Sequence, residues 1–505
     1  MESKPAGYVY CARLSALAGK TCLGLLACLA APASANVTMP YFTTNMVLQR
    51  SIPVPVWGLA AAGENVTVKF NGQTKTVKAD AGGKWKVTLD AMTAGGPFDM
   101  DVTGDNAVKF TNVMVGEVWV CSGQSNMERT LSGIPKTFTA DSIKASNYPN
   151  IRQMNTHNKY WRVANAANIG GFTAVGFFMA RDLEKNLGVA IGLIHGSVGG
   201  TPIERWMIPG DSGAAATPDL YNSWIAPVVG FGIRGTIWYQ GEANANGTAD
   251  VVYRNRMTVL IKGWRKVWKQ GDFPFLWVQL ANYQAVQTDP NENSGWALLR
   301  EAQRLSLSNP NTGMAVTIDV GEAADIHPQD KLTVGRRLAL AARAKAYGQT
   351  LVYSGPQYES MKIDGAKIRL HFGHVGGGLV AKGGPLKGFV VAGADNKFQF
   401  ATAAIEGSDV LVSHVSVTAP TQVRYAWANN PVCNLYNVEN IPASPFRTSG
   451  AQLPVILAWN RSGSNAAPVF SALPVLSIDV LGRVLVRGGV GRNITRPATI
   501  GLQRR

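Results

Sequence analysis

The sequence predicts an α/β protein built on a parallel sheet wrapped by helices and flanked by two β-rich regions. Three patterns carry that prediction. Over 111–350, short apolar runs alternate with segments of helical periodicity, the pattern of strands and helices in a parallel sheet. Over 36–110 and again over 351–448, apolar and polar residues alternate between turn signals, as in antiparallel sheets. The length of 505 residues exceeds one ordinary domain, and 46% hydrophobic against 16% charged residues supplies a core for several layers.

Residues 1–35 read as a signal peptide. Lys4, Arg13 and Lys20 precede an apolar run over 22–31, and Ala33-Ser34-Ala35 supplies the small-x-small pattern of a signal-peptidase site. Cleavage near Ala35 is expected, giving a secreted or periplasmic protein. Leu25-Leu26-Ala27-Cys28 sketches a lipoprotein site, but leucine in its second place fits poorly, so acylation of Cys28 is the lesser reading. No other run approaches the ~18 apolar residues of a membrane span. Cleavage would leave Cys121 and Cys433, which have no metal-ligand spacing, and neither a metal nor a cofactor is expected. The formal charge of +16 does not imply a nucleic-acid partner, because no long Lys/Arg block occurs between leader and tail. The tail, 449–505, alone carries seven arginines against one aspartate, and its sequence predicts no particular structure.

In 36–110 the runs 66–70, 76–77 and 84–89 are separated by Asn71-Gly72, Ala81-Gly82-Gly83 and Gly95-Gly96-Pro97, the punctuation of a small antiparallel sandwich. A supporting role for it is favoured over sugar binding. In 111–350 the runs 113–120, 189–194, 233–239, 275–280 and 314–318 read as strands. The segment 172–187 places Val175, Phe178, Met179 and Leu183 on one face of a helix closed by Gly188. The segment 331–347 does the same with Val334, Leu338, Ala341 and Ala342 before Gly348.

The run 113–120 stops at the sharp turn Ser122-Gly123-Gln124-Ser125-Asn126, which sets the Ser125 hydroxyl at the C-terminal edge of the sheet. Ligands of open α/β sheets bind at that edge. A hydroxyl there becomes a nucleophile only beside a base that takes its proton. Of six histidines, His371, His374 and His414 lie in β segments, and His157 and His195 have no acid at a telling spacing, although His195 stands beside a glycine turn. His327, in DIHPQD, follows the 314–318 run and precedes a helix, so it reaches the same edge as Ser125. Asp325, two residues earlier, can orient its imidazole, with Glu242 as the rival acid.

Donors for a developing oxyanion stand at two other strand ends. IGLIHGSVGGTPIERW, 191–206, offers a backbone N–H at Gly199 or Gly200, and IWYQGEANA, 237–245, offers the amides of Asn244 and Gln240. Gln124, Gln240, Glu242 and Arg205 are the candidate substrate contacts. GDSG at 210–213 matches a peptidase serine motif, but no strand leads into it, so it reads as a surface loop. HVGGGL at 374–379 lacks the Lys-Ser/Thr ending of a phosphate loop.

GEVWVCSGQSNME at 116–128 resembles the nucleophile block of the SGNH-type carbohydrate esterases, in particular the sialate O-acetylesterase family. The resemblance extends over 46–448 and includes MVLQRSIPVPVWG at 46–58, GFTAVGFFMARDL at 171–183, VGRRLALAARAKAYG at 334–348 and VRYAWANNPVCNLYNVENIPASPFRT at 423–448. Ser125, a glycine, Asn244 and His327 occur in the order of the superfamily's four signature residues. What the resemblance implies is a three-layer α/β/α esterase with flanking β-sandwich regions. It would remove acetyl groups from an O-acetylated sugar or glycan, sialic acid first, through an acetyl-serine and without metal. An acetylxylan or other polysaccharide acetylesterase, and a catalytically silent sugar-binding protein, are the alternatives. Val198 stands where the family usually has tryptophan and Arg205 where it has a small residue. Asp325 is spaced Asp-x-His where the wider superfamily often has Asp-x-x-His.

Overall fold

The computed structural model describes residues 36–145, 147–245, 249–449, 475–478 and 484–487. The expected leader, with Cys28 and Ala35, lies outside the described residues. The chain divides into two compact units, Met1–Leu453 and Pro454–Arg505. In the second, Val475–Ile478 pairs antiparallel with Val484–Arg487. No helix among the described residues is long and apolar enough to cross a membrane.

The first unit opens with β1 (Val47–Gln49), β2 (Val54–Leu59), β3 (Asn65–Phe70), β4 (Gln73–Lys78), β5 (Lys84–Leu89) and β6 (Gly95–Thr103). Alternation in sequence becomes alternation in burial: Val66, Val68 and Phe70 in β3, and Trp85, Val87 and Leu89 in β5, point into the core. β2 pairs with β5, and β3 with β4 and β6, all antiparallel. The next strand, β7 (Ala107–Gly123), serves two sheets in turn. Its residues 107–115 pair antiparallel with β6, and 117–123 pair parallel with the strands of the central sheet. The expected domain boundary at 110/111 therefore falls inside one unbroken strand.

After β7 come α1 (Ser125–Glu128), α2 (Lys136–Ala145), β8 (Asn147–Asn155), β9 (Trp161–Asn165), α3 (Ala174–Leu187) and β10 (Ile191–Ser197). They are followed by β11 (Gly235–Tyr239), α4 (Ala249–Trp268), β12 (Phe275–Val278), α5 (Gly295–Leu305), β13 (Thr312–Ala315) and α6 (Lys331–Tyr347). The central order is β13-β12-β11-β7-β10-β8-β9, parallel throughout except for β9. Neighbouring residues of a strand face opposite sides, which assigns the helices. α3 lies on the Cys121 face, where an ideal Cβ on its Gly176 would come 3.1 Å from Cys121 Sγ, and α6 packs on α3. α4 lies on the Trp238 face, its Trp264 ring meeting Trp238 edge-on at 6.0 Å, and α5 packs on α4. Three α/β/α layers result. Gly188 and Gly348 close α3 and α6 in the left-handed conformation, as their positions in sequence predict. The run 314–318 is corrected: pairing ends at Ala315, and Val316 and Ile318 are buried loop residues.

The C-terminal part of this unit is β-rich, with β14 (Gln357–Asp364), β15 (Lys367–Gly373), β16 (Leu379–Ala381), β17 (Phe389–Ala392) and β18 (Gln399–Phe400). It continues with β19 (Thr402–Glu406), β20 (Asp409–Ser413), β21 (Gln422–Tyr425), β22 (Leu435–Asn437) and β23 (Phe446–Arg447). Its antiparallel sheets run β14-β15-β20-β19 and β18-β17-β21-β23, beside the pair β16-β22. Arg300 of α5 fastens this region to the central sheet. Its buried guanidinium donates to Leu280 O at 2.8 Å, Ala428 O at 2.7 Å and Asn429 O at 2.8 Å, so the charge is solvated by carbonyls.

Where β7 passes from one sheet to the other, Glu117 is fully buried. It accepts from Gln49 Nε2 at 2.9 Å, Arg234 Nε at 2.7 Å and Arg50 Nε. Removing that carboxylate strands two guanidinium groups at the junction. Glu117→Leu is expected to lower stability by about 3 kcal/mol in chemical denaturation, the scale for breaking a buried ion pair from one side. A change within about 0.5 kcal/mol of zero, the range of an ordinary surface substitution, would show that the junction does not depend on it.

Candidate active site

Gly123 determines where β7 stops. At φ +135°, an ideal Cβ there would lie 2.1 Å from Tyr239 O, so glycine alone allows β7 and β11 to stay paired to their ends. Gln124 N–H then donates to Tyr239 O at 2.9 Å, and the chain turns into α1 with Ser125 as its first residue. Ser125 sits between the ends of β10 and β11, beyond the carboxyl edge of the sheet.

The loop between β13 and α6 brings the base to it. His327 Nε2 lies 3.0 Å from Ser125 Oγ, and Nδ1 lies 3.2 Å from Asp325 Oδ1. Asp325 Oδ1 also accepts the His327 backbone N–H at 2.8 Å, and Oδ2 accepts Gln329 Nε2 at 2.8 Å. With Nδ1–H directed at the carboxylate, the Nε2 lone pair faces the serine hydroxyl. Partial burial works to raise the Asp325 carboxyl, but the bonds from His327 and Gln329 and the nearby Arg129 hold it below its ordinary value. Desolvation, Arg129 and Lys331 lower His327 by more than Asp325 raises it. The imidazole is therefore neutral at pH 7, the form that can accept a proton.

Glu242, the rival acid, is engaged elsewhere. Its Oε1 accepts from Asn126 Nδ2, its Oε2 is buried without a hydrogen-bond partner among the described residues, and burial pushes its carboxyl up. Asn126 Nδ2 also donates to Ile326 O at 3.1 Å, and Asn126 Oδ1 accepts from Lys331 Nζ. Lys331 is fully buried, with Nζ 5.2 Å from the centre of the Tyr239 ring, and burial pulls its ammonium down to about 7. Asn126, Lys331, Arg129 and Gln329 were not singled out from sequence. One signal was available: a lysine four residues after His327, at a helix start, in DIHPQDK.

The oxyanion candidates divide. An ideal Cβ on Gly199 would stand 3.4 Å from Ser125 Cβ and 3.0 Å from Glu128 Oε2, so this backbone runs alongside the serine. Gly200, at φ +70°, is exposed with open space where its Cβ would be. Asn244 Oδ1 accepts Ile203 N–H at 2.9 Å and Gln240 Nε2 at 2.7 Å, while its Nδ2 gives one hydrogen to Glu204 Oε2 at 2.9 Å. These bonds fix the direction of its amide.

The remaining expected contacts have partners within the protein. Gln240 is fully buried, its Oε1 accepts Tyr253 O–H at 2.8 Å and its Nε2 faces Asn244 and Gln124, whose Oε1 is 3.2 Å away. Both glutamine amides thus brace loops. Arg205 is turned onto Asp219 in an exposed bidentate pair at 2.9 and 2.6 Å, and no contact among the described residues joins it to Ser125 or His327. His195, beside its glycine turn, is buried and pushed down to about 4, with Nε2 2.6 Å from Ser197 Oγ.

The depressed imidazole has a measurable consequence. The rate at which a serine-directed phosphonate modifies Ser125 is expected to fall on acidification, with a midpoint below the 6.5 of an ordinary histidine. A midpoint above 6.5, read by intact mass against time, would contradict this charge balance.

A family model described as carbohydrate esterase, sialic acid-specific acetylesterase, matches residues 115–344. The sialate O-acetylesterase of Homo sapiens is 30% identical over 485 residues, covering 80% of this chain and 91% of that protein. That of Rattus norvegicus is 28% identical over 508 residues, covering 80% and 93%. The crystal structure of a carbohydrate acetylesterase from Xanthomonas citri superposes with a TM-score of 0.79 at 44% identity, over 82% of this chain and 99% of that one. The chain belongs to the sialate O-acetylesterase family, carboxylic-ester hydrolases of the SGNH type.

Proposed function

We propose that this protein is a secreted carbohydrate esterase that removes O-acetyl groups from sugars, O-acetylated sialic acid first, through an acetyl-serine intermediate. One observation carries the mechanism: Ser125 Oγ, His327 and Asp325 form a hydrogen-bonded chain in which both links are within 3.2 Å. Family membership supports the substrate class, and the leader-like sequence at 1–35 supports secretion.

In this mechanism Ser125 Oγ attacks the acetyl carbonyl carbon as His327 Nε2 takes its proton, and Asp325 stabilises the imidazolium that forms. Negative charge moves onto the carbonyl oxygen, where the Gly199 N–H and the second Asn244 Nδ2 hydrogen are the proposed donors. The tetrahedral intermediate collapses as His327 gives the proton to the departing sugar oxygen, which leaves as a hydroxyl. Water, deprotonated by the same imidazole, then releases acetate and restores Ser125.

Ser125→Ala is expected to fold with an unchanged melting temperature and to lose at least ~10³-fold in acetate release, because the triad acts as a unit. Acetylated sialic acid, acetylated xylan and a long-chain ester compared in parallel decide the substrate, and preference for xylan would overturn sialic acid.

The acid is decided by a second pair of variants. Asp325→Asn is expected to depress kcat by about 10²- to 10⁴-fold, since the amide favours the wrong imidazole tautomer. Glu242→Gln should cost less, because an amide oxygen can still accept from Asn126. A silent Asp325→Asn beside an inactive, folded Glu242→Gln would reverse the assignment.

A further inference from the structure

The nucleophile and its base are carried on separate segments, and one side chain spans the gap between those segments. Asn126 follows Ser125 directly, and its Nδ2 donates to the carbonyl of Ile326, the residue before His327. The same Nδ2 donates to Glu242 Oε1 at the end of β11, and Oδ1 receives Lys331 Nζ from the start of α6. Three segments of the sheet's C-terminal edge thus meet on one carboxamide.

A carboxamide is nearly isosteric under rotation by half a turn, so shape alone does not choose its direction. Charge does. In the observed orientation the oxygen faces an ammonium and the two hydrogens face a carboxylate and a carbonyl. Reversal would set oxygen against the acceptors Glu242 Oε1 and Ile326 O, and would deprive the protonated lysine of its acceptor. The group is 1% exposed, so water cannot relieve either.

We propose that Asn126 is a positioning residue that holds Ser125 and His327 at reacting distance, and that Lys331 and Glu242 lock its amide in the one direction that does so. This explains why a lysine and a glutamate are buried beside a triad whose proton transfers use neither. The charges compensate each other across the amide, and Glu242 Oε2 has no partner among the described residues. The inference rests on the Ser125–His327 reading, and the test separates the two.

Asn126→Asp keeps the shape and the Lys331 contact but presents oxygen to Glu242 and Ile326 O. With a small acetyl ester, kcat is expected to fall by about 10²-fold at unchanged KM, as for a displacement near 1 Å between reacting groups. Adding Glu242→Gln restores a donor opposite the introduced carboxylate, and the double variant N126D/E242Q should recover at least about tenfold of that loss. A role in folding alone would instead lower the melting temperature and leave kcat per folded molecule unchanged, which overturns the proposal. So does a loss confined to KM, or no recovery in the folded double variant. Ser125→Ala is assayed beside them: if it retains activity, the underlying mechanism has failed, whereas an inactive Ser125→Ala with a fully active Asn126→Asp removes only the positioning role.

Discussion

The close approach of β7 to β11 at Gly123 is the constraint on which the site depends. Seven parallel pairings with β10 and five with β11 fix the direction and depth of β7, and the absence of a Cβ at Gly123 lets the register run to its last residue. Ser125 is then delivered two residues past the sheet, with no slack in the chain. Any larger residue at 123 would push the β7 and β11 ends apart and carry Ser125, Asn126 and the Glu242 turn with them. The N-terminal sandwich contributes to this by extending β7 backwards, so that the serine stands at the end of a strand anchored in two sheets.

Electrostatics acts on that geometry. Glu117 neutralises two arginines at the far end of the 117–123 stretch, and Arg300 is solvated by carbonyls where the C-terminal β region docks. At the catalytic end desolvation, joined by Arg129 and Lys331, outweighs Asp325 and lowers His327, so the imidazole stays neutral although it is paired with a carboxylate. A triad with a strongly raised histidine would hold its base as imidazolium near neutrality, where it cannot accept a proton. Here desolvation and nearby positive charge work against that.

Much of this was legible in the sequence. The 3.6-residue spacing and closing glycines of α3 and α6 are local properties, and both helices stand where they were expected. Ser125 and His327 were legible because each follows an apolar run that ends abruptly, and parallel strands bring such ends to one edge. Strands β8 and β9 were missed because their polar residues, such as Asn147, Asn150 and Gln153, interrupt the apolar pattern. For Gln240 and Arg205 the sequence leaves the partner open. A polar side chain in a motif reads alike in sequence whether it faces solvent, a loop or a ligand, and here tertiary contacts with Tyr253 and Asp219 decide it. Lys331 is the reverse case, a lysine at a helix start that is fully buried.

The account stands on a covalent step at one hydroxyl. The direct measurement is to mix the enzyme with an activated acetyl ester, quench in acid within the first turnovers, and map the acetylated peptide by mass spectrometry. The account predicts one acetyl group on the peptide carrying Ser125, lost on further incubation at neutral pH. Acetate release with no acyl-enzyme at any quench time, and with no transfer of the acetyl group to an added alcohol, would contradict it.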